Sequence, residues 1–325
     1  MKITTLLLTS LMFMGCSKDT EKISGDEKWP EQPPLAAVTG QQTFNVDANI
    51  HHVNVMPENP RMPKFPSVSV KQGFARGYVA DLSGKPLEGA NIGVVSSLTG
   101  TLHASAVGQT DQNGYYEFKL PAGAAYFFGT AIAISYGQTN VVMALSPDQG
   151  TAYFPSGKGV VKNFVLTSHG TADPAQVNQS PSFSTNYYGG SLYLNYSLNY
   201  EGESYPGYVP VGGVIEIELI PEGTGLFGES RSFKVNKTVG LNLGFNIVNI
   251  PVGKYTIKAK LRGGGELKMS ENGPKKHLYP NLGLKPDGAI ATSSVLFTPV
   301  YQITPEMVGS YKSNWEALSI RLQTQ

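Results

Sequence analysis

Apolar and polar residues alternate with a period of two along much of this chain. Leu192, Leu194, Tyr196 and Leu198 alternate with Tyr193, Asn195, Ser197 and Asn199. Ile215, Ile217 and Leu219 alternate with Glu216 and Glu218, and Tyr255, Ile257, Ala259 and Leu261 with Lys254, Thr256, Lys258 and Lys260. Successive side chains of an extended strand point to opposite faces, so each run predicts a strand with one face buried and one wet. Ala90, Ile92 and Val94 form a further such face, Tyr116, Phe118 and Leu120 another, and Leu318, Ile320 and Leu322 predict a last strand. The stretches Tyr126 to Tyr136 and Val161 to Leu166 read as apolar strands. Asn113-Gly114, between two strand-like runs, predicts a hairpin, because both residues tolerate positive φ.

Composition agrees with this pattern. Glycine (37), proline (22) and tyrosine (17) are plentiful and charge is only 15%, which suits an all-β chain with many turns. The strand runs fall into two groups, and 325 residues are enough for two domains. The expected organisation is a first β-sandwich over residues 71–168, a small polar linker over 169–182 and a second β-sandwich over 183–325. Residues 16–70 read as a tether. Pro30, Pro33, Pro34, Pro57, Pro60, Pro63 and Pro66 each remove a backbone donor and keep the preceding residue extended, which predicts a semi-stiff spacer. An internal echo links the halves. Phe118-Lys119-Leu120-Pro121-Ala122-Gly123 matches Val248-Asn249-Ile250-Pro251-Val252-Gly253, and each precedes a strand-like run.

The first residues address the chain. Met1-Lys2 precede an apolar run from Ile3 to Met14 that is too short to span a bilayer, and Gly15-Cys16 follow. Phe13-Met14-Gly15-Cys16 resembles a bacterial lipobox, with Phe13 in place of the usual aliphatic residue. The resemblance implies a signal peptide over residues 1–15, lipid on Cys16 and a place in the cell envelope, on the outer membrane and facing outward. Ser17-Lys18-Asp19 resembles loosely the surface-export signals of some Gram-negative lineages. Each buried methylene of an attached acyl chain stabilises membrane binding by about 0.8 kcal/mol, so two or three chains make a lasting anchor. Cys16 is the only cysteine, which leaves no disulfide and no cysteine metal site. Lys+Arg (25) and Asp+Glu (24) become equal once Lys2 is removed, so no field gathers nucleic acid.

The first sandwich resembles the carboxypeptidase regulatory-like domain. The matching residues are Gly77-Tyr78-Val79, Gly84-Lys85-Pro86-Leu87-Glu88-Gly89-Ala90-Asn91-Ile92, Thr110-Asp111-Gln112-Asn113-Gly114-Tyr115-Tyr116-Glu117-Phe118 and Leu120-Pro121-Ala122-Gly123. The resemblance implies a prealbumin-like, Ig-type sandwich without catalysis. The stretch from Tyr126 to Ser146 departs from that pattern, being small, apolar and Gly-rich.

No reaction chemistry stands out. His51, His52, His103, His169 and His277 fit no zinc-peptidase spacing, and no Gly-x-Ser-x-Gly elbow is present. Asp111-Gln112-Asn113-Gly114 lacks the later ligands of a calcium loop. Gly253-Lys254 lacks the glycine and hydroxyl of a phosphate loop. Glu216 and Glu218 share a strand face at about 6.5–7 Å, near glycosidase spacing, but a solvated face gives the same pattern. No enzyme activity, metal or cofactor is expected. One region exceeds background. Tyr187, Tyr188, Tyr193, Tyr205 and Tyr208 interleave with Asn195 and Asn199, and tyrosine offers a flat face for a sugar ring while asparagine bonds hydroxyls. The sequence therefore reads as a lipid-anchored surface module that binds glycan or another extracellular polymer. The alternative is a structural, adhesin or accessory subunit of an envelope protein complex.

Overall fold

The alternating runs become the strands of two sandwiches. The computed structural model describes residues 28–98, 104–150, 152–274, 276–300 and 313–325. Cys16 and His103 lie outside the described residues. In the first sandwich one sheet runs Phe154–Pro155, Ala124–Tyr136, Asn91–Ser96, Ala106–Gln109, with Thr139–Met143 paired to the long strand. The facing sheet runs Val160–Val161, Phe74–Asp81, Phe164–Leu166, Ser146–Pro147, with Tyr115–Lys119 on Phe74–Asp81. Phe127 and Phe164 meet between the sheets with ring centroids 5.4 Å apart.

The second sandwich pairs a seven-stranded sheet with a six-stranded one. The first contains Ser232–Thr238, Val214–Pro221, Tyr255–Leu261, Thr292–Leu296 and Gly283–Lys285. The second contains Gly244–Ile250, Gly190–Asn195, Ala317–Gln323, Lys268–Glu271 and Ala289–Ile290. The predicted inward positions Leu192, Leu194, Ile215, Ile217, Leu219, Ile257, Leu318 and Ile320 are all buried. Strand alternation thus sets the register of both sheets, because a slip of one residue would turn every apolar side chain outward. The echo has a structural meaning. Pro121-Ala122-Gly123 and Pro251-Val252-Gly253 each carry the chain from one sheet of a sandwich to the other, after Tyr115–Lys119 and Gly244–Ile250 respectively. Proline ends a strand without leaving a donor unpaired.

The Asn113-Gly114 hairpin is only local. Gly114 N donates to Asp111 O at 2.9 Å and Asp111 N to Tyr115 O at 2.9 Å, but the flanking strands then enter opposite sheets. Val79 N donates to Gly114 O at 2.7 Å, and Thr110 Oγ1 donates to Leu87 O at 2.7 Å, so each arm of the turn is held by a different partner.

Residues 28–70 are not a free tether. Gln41–Val46 adds a parallel strand beside Ser232–Thr238 at the edge of one sheet, and His52–Asn54 adds one beside Gly244–Ile250 at the edge of the other. The prolines keep the segment extended as expected, but Val46, Val55 and Met56 between them are buried in the core. Burial of these side chains is what converts a spacer into a strap. Lys237, fully buried, donates to Asp47 O at 2.6 Å and Ala48 O at 3.0 Å in the strap's turn. Burial lowers its pKa and Asp47 opposes the shift. On the return, Asn249 Nδ2 donates to Asn54 Oδ1 at 3.2 Å and to Met56 O. The strap begins and ends on the first sandwich. Trp29 packs on Phe65 and Tyr78, and Gln32 Nε2 donates to Lys64 O at 2.8 Å. Lys237→Met, which keeps the stem and removes the donors, is expected to destabilise the fold by about 1–3 kcal/mol. Hydrogen exchange of a peptide spanning residues 41–54 should accelerate; unchanged exchange there would show that Lys237 does not hold the strap.

The expected linker is also packed. His169 and Gly170 are buried, Val252 N donates to Ser168 O at 2.9 Å, and Asp173 caps the short helix Pro174–Val177. The segment that departs from the carboxypeptidase regulatory-like pattern joins the two sandwiches. Ala124–Tyr136 reaches beyond its own sandwich, and the Tyr136 hydroxyl donates to Gly253 O at 3.0 Å and accepts from Phe297 N at 2.8 Å. One continuous apolar cluster therefore runs through both sandwiches.

Candidate functional site

The structure divides the predicted binding residues. Tyr187 and Tyr188 are 1% and 2% exposed, and their hydroxyls donate to Pro181 O and Leu145 O. A ring with no free face cannot stack on a sugar, so these two belong to the core. Tyr193 is half-buried on the outer face of Gly190–Asn195, against Gly244. Asn195 Nδ2 donates to Asn272 Oδ1 at 3.2 Å and Ser319 Oγ at 3.1 Å, so its amide is already engaged. Asn199, Tyr205 and Tyr208 do converge. Asn199 Oδ1 accepts from Tyr205 N at 2.8 Å, its Nδ2 donates to Tyr205 O at 3.2 Å, and the Tyr205 and Tyr208 rings lie 5.5 Å apart.

That loop belongs to a larger surface. Gly244–Ile250 runs from one end of the second sandwich to the other, and its later end leads to Gly253 against the first sandwich. The opposite end carries residues 196–213, the connection 239–243 and the strap's turn 47–51. Hydrogen bonds tie them together. Gly212 N donates to Val239 O at 2.9 Å, Val239 N to Gly213 O at 2.8 Å, Tyr196 N to Leu243 O at 2.9 Å and Val211 N to Asn199 O at 2.9 Å. Gly240 lies over the strap's turn, where a Cβ would stand 2.4 Å from Ala48 O. On this end Leu241 is 73% exposed and Leu243 60%, and Ile50, Tyr200, Tyr205 and Val211 are exposed beside them. Isolated exposed apolar residues are ordinary, but six large ones on one set of hydrogen-bonded loops make this end the candidate interaction site. Asp47, Glu201 and Glu203 are exposed around it.

Sequence reasoning misses Leu241 and Leu243 for a physical reason. They share parity with Phe245 and Ile247, which are buried, so the run reads as one inward face. The strand starts only at Gly244, and the two leucines project beyond the end of the sheet. Leu-x-Leu next to glycine is the one signal that would have suggested a turn.

The carboxylate pair is engaged by cations, Lys234 reaching both Glu216 and Glu218. Glu216 is held by Arg262 Nε at 2.6 Å, Lys260 Nζ at 3.2 Å and Lys234 Nζ at 3.8 Å. The Arg262 hydrogen bond lowers its pKa against the effect of burial, which keeps it ionised and unfit as a general acid. Among the described residues no three His, Cys, Asp or Glu side chains are grouped to hold a metal, and no helix is long and apolar enough to cross a membrane.

No protein-family model matches this chain, and no curated protein matches it. Similarity to solved structures is found at low identity and low TM-score. The Bacillus anthracis TIE protein is 13% identical with a TM-score of 0.26, over 78% of this chain and 34% of that one. The Streptococcal ancillary pilin is 11% identical with a TM-score of 0.22, over 75% of this chain and 62% of that one. GBS52, the minor pilin of Streptococcus agalactiae, is 14% identical with a TM-score of 0.21, over 88% and 97%. The chain thus spans about a third of the first of these proteins and under two thirds of the second.

Proposed function

We propose that this chain is a non-catalytic protein of the cell envelope, anchored through lipid on Cys16, that docks onto a protein partner through its loop tip. The observation that carries the reading is the set of six exposed apolar and aromatic residues at the end of the second sandwich farther from the first. The strap and the Tyr136 contact join the two sandwiches into one body, which suits a structural or adhesive subunit that displays this tip. The leucine pair favours a protein surface over a sugar, and the acidic residues around it favour a partner with a basic rim.

The test is the double variant Leu241→Asp, Leu243→Asp in the chain from Ser17 to Gln325. Stability is expected to stay within about 0.5 kcal/mol, since both side chains face solvent. Saturable binding of the labelled chain to isolated cell envelopes is expected to fall at least about tenfold, because apolar hot spots are each worth about 2 kcal/mol or more. Undiminished binding would remove the tip from the account. The exposed Tyr205 ring, beside Tyr208 on a loop pinned by Asn199, favours glycan as a second reading. Affinity electrophoresis through polysaccharides, with retardation lost in Tyr205→Ala, would transfer the tip to glycan.

A further inference from the structure

Where the chain crosses from the first sandwich to the second, Ser168, His169 and Glu229 form a buried relay. Ser168 Oγ lies 3.0 Å from His169 Nδ1 and within hydrogen-bond reach of Glu229 Oε1. The other Glu229 oxygen accepts from Phe227 N at 2.8 Å. Proton counting orders the relay. Ser168 Oγ donates to Glu229 Oε1, a bond that takes its one proton. The Ser168 oxygen must then accept, and His169 supplies Nδ1–H. Burial lowers the His169 pKa and Arg231 adds to this, with Glu229 opposing, so the imidazole is neutral. Its Nε2 is left as a bare lone pair. That nitrogen makes no hydrogen bond with any described residue.

The His169 side chain, 5% exposed, lines a cleft of about 470 Å³ between the strap and the two sandwiches. Its apolar walls include Leu35, Met62, Leu82 and Phe227, and Glu58, Arg61, Glu229 and Arg231 also line it. Arg231 is fixed by Nε donating to Thr39 O at 3.1 Å. A cleft of this size at a domain junction, with apolar walls and a set of polar groups, has the character of a small-molecule site. Arg61 and Arg231 are matched by Glu58 and Glu229 around the cleft, so a net charge of either sign gains little, and the bare Nε2 disfavours a ligand that offers only acceptors.

We propose that this cleft binds a compact, uncharged molecule through a hydroxyl or amide N–H that donates to His169 Nε2. The site lies at the opposite end of the second sandwich from the loop tip and stands or falls separately from it.

The probe is 3-phenylpropanamide, compared with methyl 3-phenylpropanoate, which has similar shape and no donor. The chain from Ser17 to Gln325, labelled with ¹⁵N-histidine, is titrated with each. His169 is expected in the Nδ1–H tautomer before any addition, a reading that needs no variant. The amide is expected to move the His169 Nε2 resonance and to bind at least about tenfold more tightly than the ester. Ser168→Ala, with its fold checked by circular dichroism, is expected to lose the single tautomer and most of the amide affinity. An Nε2–H tautomer in the unmodified chain, equal affinity for amide and ester, or no response to the amide would each overturn the proposal.

Discussion

Tyr136→Ala is expected to uncouple the two sandwiches. The ring is buried and packs on Trp315 with centroids 5.3 Å apart, and the hydroxyl bridges Gly253 O and Phe297 N. Removing a buried aromatic side chain costs about 3–5 kcal/mol. The bared carbonyl and amide add to this, at about 1–3 kcal/mol for each group that water cannot reach. The contacts removed are those between sandwiches, so the loss should show as lost cooperativity. Calorimetry of the unmodified chain is expected to give one transition. The variant should give two, the earlier one well below the original midpoint. Tyr136→Phe keeps the ring and should destabilise by about 1–3 kcal/mol. Burial raises the hydroxyl pKa far above the ordinary tyrosine value, so this contribution is constant through neutral pH. A single unchanged transition in Tyr136→Ala would mean that Tyr136 does not join the sandwiches.

Gly114→Val should have a comparable effect on the first sandwich. Gly114 has φ +72°, and a Cβ there would stand 2.4 Å from Val79 O. Left-handed geometry alone costs an L residue roughly 1–2 kcal/mol, and a β-branched side chain tolerates it less. The clash is with backbone, which cannot turn aside. Relief would move Val79 N away from Gly114 O, a bond of 2.7 Å that holds the turn to the facing sheet. The combined loss is expected to exceed about 3 kcal/mol. Gly89→Ala is the matched control. Its φ is +78° and nothing lies within 4 Å of the added Cβ, so only the left-handed strain of about 1 kcal/mol remains. Urea midpoints measure both. Equal, small shifts would show that the turn is not pinned to Val79.

The strands were legible because one-sided burial writes itself as alternation. Leu192, Leu194, Ile215, Ile217, Ile257 and Ile320 all point inward as their spacing predicts. The strap was not legible. Its prolines carry a strong local signal for an extended spacer, whereas the partners that bury Val46 and Val55 lie in Ser232–Thr238 and Gly244–Ile250, far along the chain. Local composition cannot report a non-local pairing. Tyr187 and Tyr188 illustrate the same limit, since a tyrosine that closes a core and one that meets a ligand look alike in sequence. Of the candidate tyrosines, Tyr205 is exposed and Tyr208 half-buried on a loop that Gly202, Pro206 and Gly207 punctuate. The leucines that extend the tip were hidden by a parity that continues into the buried strand.

The most direct test is photo-crosslinking on whole cells. A photo-reactive residue is placed at Leu241, at the tip, and in a second chain at Lys158, exposed on the first sandwich. The account predicts one defined protein adduct from position 241, lost when Leu243→Asp is added, and none from position 158. No adduct from position 241, or the same adducts from both positions, would contradict it.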